Sequence, residues 1–198
     1  MNDESLPERL ILASTSKYRK MLLQRLDLPF DCEAPGTDET PLGDEAPDEL
    51  VSRLAAQKAS VVAGKYPTSV VIGSDQMAVL HGKILGKPGN HQSAVLQLRS
   101  CSGQTVKFLT SVSVQSLSRG FSESYTDVTR VSFRSLAEAE IESYLLREKP
   151  YDCAGSFKSE SLGVTLFERI TSEDPTALIG LPLIQTTAML RRAGFRLP

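Results

Sequence analysis

The stretch RLILASTSKYRKMLLQRL, residues 9–26, passes from a short apolar run through three hydroxyl residues into a helical pattern. Residues 9–13 predict a strand. Residues 17–26 predict a helix with Met21, Leu22, Leu23 and Leu26 on its apolar face, and Ser16 is well placed to cap it.

Outward from this stretch, residues 34–49 form an acidic loop rich in Pro and Gly. Residues 48–64 predict a helix with Leu50, Val51, Leu54, Val61 and Val62 facing inward and Gly64 as its stop. Residues 69–73 (SVVIG) are a β-branched run suited to a buried strand, which residues 77–80 can continue before a turn at His81-Gly82-Lys83. Helices are expected at 91–99, at 135–146 with Ser135 as cap, and at 181–192 with Pro182 in the first turn and Gly194 at the end. Strands are expected at 106–114, 125–133 and 164–170. Helices and strands mix without strict alternation, so the expectation is one α/β domain over residues 1–198, built on a mixed sheet with flanking helices and two lobes around a cleft.

Composition narrows the function classes. The chain has 198 residues, a net charge of -2 and 40% apolar residues, ordinary values for a globular protein. No basic stripe suggests nucleic acid as a partner, and no apolar run is long enough for a membrane span. The N-terminal MNDESLP is polar and acidic and does not read as a secretory signal. Cys32, Cys101 and Cys153 are odd in number and far apart, which fits a reducing cytoplasm rather than a disulfide framework. With only His81 and His91, a bound metal must rest on oxygen ligands, as magnesium and manganese do.

Several segments could carry chemistry. Ser14-Thr15-Ser16-Lys17-Tyr18-Arg19 lies where a strand meets a helix N-terminus. There the helix dipole, hydroxyls and Arg19 could cradle a phosphate, although an ordinary helix cap with a surface arginine is the commoner account of such a segment. Asp75, directly after an apolar strand, is expected at the sheet's end, as a metal ligand, a base or a turn residue. Lys58 and Lys87, each taken alone, read as solvated surface lysines, and Glu39 as part of a solubilising acidic loop. Glu160 lies in the small-residue segment 154–163, which permits close approach to a ligand.

In order along the chain these segments resemble the Maf family, named for inhibition of septum formation. LASTSKYR at 12–19 resembles the family's opening L-A-S-x-S-x-x-R, and TDE at 37–39 its acidic loop. RLAAQK at 53–58 is similar to its R-L-A-x-x-K helix, GSD at 73–75 to its G-x-D site, and LGKP at 85–88 to its L-x-K-P. Ala154-Gly155 and GLPL at 180–183 resemble its closing motifs. The resemblance implies a fold like that of inosine triphosphate pyrophosphatases. It also implies hydrolysis of a nucleoside triphosphate to the monophosphate and pyrophosphate with a divalent metal: magnesium, manganese or cobalt. By the same resemblance Asp75 is the proton acceptor, and Ser14, Arg19, Glu39, Lys58 and Lys87 are phosphate- and metal-site residues, with Ser16 beside them. Glu39 and Asp75 are the expected metal ligands.

Branches of the family differ at the positions that here hold Tyr18, Gln76 and Glu160. The pyrimidine branch has Arg, Thr and Gln there. The present trio resembles the branch that acts on 7-methyl-GTP, with Tyr18 where that branch often carries Trp. Methylation at N7 makes guanine cationic, an aromatic face attracts a cation, and a carboxylate accepts both N–H groups of guanine's Watson–Crick edge. Two other readings compete: a dTTP or UTP pyrophosphatase, and a nucleotide-binding regulator of septum formation. A small-molecule nucleotide is the expected partner, with a homodimer only as a base rate.

Overall fold

The structure is a computed structural model and describes residues 9–198; the acidic stretch MNDESLP at the N-terminus lies outside the described residues. Strands are β1 (Leu10–Leu12), β2 (Asp31–Cys32), β3 (Val70–Leu80), β4 (Lys83–Leu85), β5 (Thr105–Ser116), β6 (Phe121–Phe133) and β7 (Phe167–Thr171). Helices are α1 (Lys17–Gln24), α2 (Pro47–Lys65), α3 (His91–Cys101), α4 (Glu138–Glu148) and α5 (Leu183–Arg192). Among the described residues the strands hydrogen-bond in the order β2-β1-β3-β5-β6-β7, with β4 paired to β3. Pairing is parallel for β1 with β2 and β3, and antiparallel for β3 with β4 and for β6 with β7. This is the mixed α/β sheet expected from the sequence.

The chain divides into two compact units. One contains the described residues up to Gln76, with Thr110–Asp127 and Asp174–Pro198; the other contains Met77–Leu109 and Val128–Glu173. In the first unit, β1 and β3 run parallel with Leu12 opposite Ile72. Alternation sends successive side chains to opposite faces. Leu10, Leu12, Val70 and Ile72 pack with Leu22 and Leu23 of α1 and with Leu183, Met189 and Leu190 of α5. Ile11, Ala13 and Val71 pack on the other face with Ala59, Val62 and Ala63 of α2. Each buried Leu, Ile or Val stabilises the fold by roughly 1.5–3 kcal/mol.

The second unit is organised around edge-on aromatic rings. Phe157 meets Phe108 at 5.2 Å, Phe133 at 5.6 Å and Phe167 at 4.8 Å between ring centroids. Here β3 turns into β4 through His81 and Gly82, both with positive φ.

Some expected boundaries shift for identifiable reasons. α4 starts at Glu138 rather than 135, because Glu140 accepts the Ala137 N–H and the chain enters the helix there; Ser135 is not the cap. Val61 is exposed, since the buried stripe of α2 runs through Val51, Leu54, Ala55, Lys58, Ala59 and Val62. Residues 162–166 form a short 3₁₀ segment, so β7 begins only at Phe167. Ser16 does cap α1, its hydroxyl accepting from Arg19 N.

Candidate active site

Strand β3 does not end where its apolar run ends. It continues through Ser74-Asp75-Gln76 to Leu80, so Asp75 lies in mid-strand rather than at the sheet's end. The polar side chains are tolerated because each has a partner. Ser74 Oγ donates to Gly180 O (3.1 Å), and Gln76 Nε2 lies 3.0 Å from Thr110 Oγ1, Ala177 O and Leu178 O. Asp75, on the opposite face, points to α2 and receives the Lys58 ammonium at Oδ1 (2.7 Å).

That meeting depends on Gly73. A Cβ built there would lie 2.2 Å from Ala55 O and 2.5 Å from Ala59 N. The missing side chain lets the backbone of α2 rest on β3, and Lys58, one residue before Ala59, is thereby delivered to Asp75, two residues beyond Gly73 on the same face. Lys58 is buried, not a solvated surface lysine. It occupies the core-facing stripe of α2, seven residues after Val51 and four after Leu54, where a lysine is out of place unless paired. That periodicity was the signal available in the sequence.

Lys58 Nζ also lies 2.6 Å from Glu39 Oε1. The loop that carries Glu39 is shaped on both sides. Asp38 Oδ1 accepts Thr40 N (2.9 Å) and Thr40 Oγ1 (2.6 Å), and these bonds hold the Asp38 carboxyl below its ordinary range. Arg53 grips Glu45 with two nitrogens (2.7 and 2.8 Å), donates to Thr40 O (3.2 Å), and by its hydrogen bonds keeps the Glu45 carboxyl low.

Arg19 completes the group. Its Nε donates to Gly180 O (3.0 Å) and its Nη1 to Ser14 Oγ (3.4 Å), while Ser14 Oγ also accepts Ser16 N (3.2 Å). Desolvation by surrounding protein pushes the guanidinium down from its ordinary value, and the charges of Asp75 and Glu39 pull it back up. The field of both acids therefore reaches Arg19. Ser14, Arg19, Glu39, Lys58 and Asp75 thus form one constellation in the first unit, beside the N-terminus of α1 and the carboxyl end of β1.

The supporting loop 174–182 was not singled out as structural from the sequence. Buried Asp174 accepts Thr176 N (2.8 Å) and Thr176 Oγ1 (2.6 Å), and caps α5 through Ile184 N (2.7 Å). This fixes the carbonyls that Ser74, Gln76, Thr110 and Arg19 hold. Asp-Pro-Thr is a turn signal that sequence could have offered, but the reach of Asp174 to Ile184, ten residues on, is not.

Gln76 is accordingly engaged through its amide nitrogen by the loop. Tyr18 is half-buried, with Lys17 Nζ 4.9 Å from its ring centroid. Lys87 and Glu160 belong to the second unit, both exposed, in the loop 86–90 and in the turn 159–161.

The donor set suits a hard divalent cation. Glu39 and Asp75 each present one carboxylate oxygen to the Lys58 ammonium and keep a second oxygen, and the hydroxyl oxygen of Thr37, two residues before Glu39, is buried without a hydrogen-bond partner. Among the described residues no group of three or more His, Cys, Asp or Glu side chains could hold a metal. Magnesium sites of this kind use one or two carboxylates and leave the remaining positions to water and substrate phosphates.

Comparison with known proteins gives the family of the chain. The model of a family described as Maf-like protein matches residues 9–193. A curated relative from a Polaromonas species is 56% identical over 188 residues, covering 95% of this chain and 86% of its own length. One from Nitrosococcus oceani is 51% identical (96% and 95% covered) and one from Albidiferax ferrireducens 50% identical (98% and 97%). All three are named 7-methyl-GTP pyrophosphatase.

Proposed function

This chain belongs to the Maf family, and from that premise we propose that it hydrolyses 7-methyl-GTP to 7-methyl-GMP and pyrophosphate. Water attacks the α-phosphorus, the bond to the oxygen bridging the α- and β-phosphates breaks, and that oxygen leaves with pyrophosphate. The observation that carries the assignment of roles is the sharing of one buried ammonium, Lys58, between Asp75 and Glu39.

In this reading Asp75 orients the attacking water and takes its proton. Lys58 occupies Oδ1, which leaves Oδ2 as the oxygen for water. Arg19, Lys58 and the N-terminus of α1 offset the negative charge of the triphosphate, with Ser14 and Ser16 donating around it. Lys87 adds a further cation from the loop 86–90. A divalent metal held by Glu39 and Asp75 would supply charge neutralisation at the phosphates and make pyrophosphate a better leaving group. Tyr18, whose ring already accepts a cation on its face, stacks on the methylated base, and Glu160 accepts from its Watson–Crick edge. Gln76 acts on the site through the loop whose carbonyls it holds.

Removal of methylated nucleotides from the cytoplasm belongs to the same proposal, supported by three free cysteines, as a reducing compartment keeps them. A homodimer is retained on base rate alone and is read by light scattering.

The test is pyrophosphate release from 7-methyl-GTP, GTP, dTTP, UTP, CTP and ITP with magnesium, manganese or cobalt. Preference for 7-methyl-GTP is expected. Preference for dTTP or UTP would discard the roles of Tyr18 and Glu160 in selectivity, and release from none would leave a nucleotide-binding regulator.

A further inference from the structure

We infer that Gln97, a half-buried residue of α3, is a positioning residue that joins the Lys87 loop to the segment leading to Glu160; this rests on the roles proposed above for those two residues. Its two amide ends reach in different directions. Nε2 donates to Gly86 O (3.0 Å), the carbonyl directly before Lys87. Oε1 accepts from Ser156 Oγ (2.6 Å), four residues before Glu160. A neutral side chain with a donor and an acceptor at its tip can make both bonds at once; a carboxylate, a lysine or an apolar side chain cannot.

Both anchored segments are otherwise constrained, so the bridge joins two defined objects. Ser156 is fully buried and has φ 63°, directly after Gly155 with φ 75°. A left-handed conformation at a residue with a side chain persists only where its surroundings hold it, and here the hydroxyl bond to Gln97 is one such hold. A Cβ at Gly155 would lie 3.1 Å from Phe108 Cζ, and Phe157 is locked among Phe108, Phe133 and Phe167. Beyond it, Lys158 N donates to Tyr144 Oη (3.1 Å) and Lys158 Nζ to Glu148 Oε1 (3.2 Å). The Lys87 loop is tied at its other end by Gly89 N donating to Tyr151 O (3.0 Å). Gln97 thus sets the spacing between a residue assigned to phosphate and a residue assigned to the base.

The two bonds can be cut separately. Gln97→Glu keeps an acceptor for Ser156 and loses the donor for Gly86. Ser156→Ala does the reverse. Pyrophosphate release is measured for 7-methyl-GTP and GTP, with amide exchange of residues 86–89 and 157–160 as a readout independent of turnover. Gln97→Glu is expected to raise KM about tenfold for both nucleotides, with faster exchange in 86–89 and an unchanged preference between them. Ser156→Ala is expected to lower the preference for 7-methyl-GTP about tenfold, with faster exchange in 157–160. Adding Ser156→Ala to Gln97→Leu should cost nothing further in preference. The inference is overturned if the single variants leave exchange and kinetics unchanged, or if both variants shift both nucleotides alike. The reading beneath it fails differently: Lys87→Ala would leave KM unchanged, or the wild type would not distinguish the two nucleotides.

Discussion

Lys58 Nζ lies 2.7 Å from Asp75 Oδ1 and is shared with Glu39 Oε1 at 2.6 Å, so one ammonium faces two carboxylates. The two contacts are not equal. The Lys58 and Asp75 side chains are 7% and 11% exposed, whereas Glu39 is 61% exposed and its attraction is screened by water. The Lys58–Asp75 link is the buried one, and the Glu39 contact lies at the solvent side of it.

Asp75→Asn should reduce turnover by about 10²–10⁴-fold, the usual contribution of a general base, while nucleotide binding by titration calorimetry stays measurable. Turnover at the wild-type level would remove Asp75 from the reaction.

Lys58→Met removes the ammonium hydrogen-bonded to buried Asp75 and should destabilise the protein by about 3 kcal/mol in urea unfolding. The double variant with Asp75→Asn should regain part of this loss. A double variant no more stable than Lys58→Met would mean that the pair is not energetically coupled.

Gly73→Ala forces a methyl group against the backbone of α2, which cannot rotate away as a side chain could. A loss of about 1–3 kcal/mol is expected in thermal unfolding, together with lowered activity as Lys58 is pushed from Asp75. An unchanged midpoint would mean that the close approach of α2 to β3 is wrong.

Arg53→Ala removes the grip on Glu45 and Thr40 O, and with it the shape of the Glu39 loop. The metal concentration for half-maximal activity should rise severalfold while kcat at saturating metal falls less. Glu45→Ala should act the same way, and the two losses should not add.

Glu148 closes the turn that bears Glu160. Burial alone would raise its carboxyl, but hydrogen bonds from Ser161, Lys158 and Leu162 N outweigh it and hold the group below its ordinary 4.5. A depressed folded value means that the stabilisation is complete above pH 4.5 and disappears as pH falls through the folded value. Amide exchange at Leu162, corrected for intrinsic rate, should therefore stay slow from neutral pH down to that point and accelerate below it. In Glu148→Gln it should be fast throughout.

Much of this was legible in the sequence because it depends on local rules. Ser16 as the cap of α1, the strand at Val70 and the apolar stripe of α2 follow from periodicity and capping chemistry, while the ordered set of motifs carried the resemblance to the family. What tertiary structure alone decided is which of these features meet. Ser74 and Gln76 are tolerated in β3 because of partners about a hundred residues away at Ala177, Leu178 and Gly180. The pairing of Lys58 with Asp75 depends on the absence of a side chain at Gly73, and the placement of Glu39 on Arg53 fourteen residues later. Local propensity cannot encode such relations, because a buried charge or a polar residue in a sheet is tolerated only once a distant group arrives to pair with it.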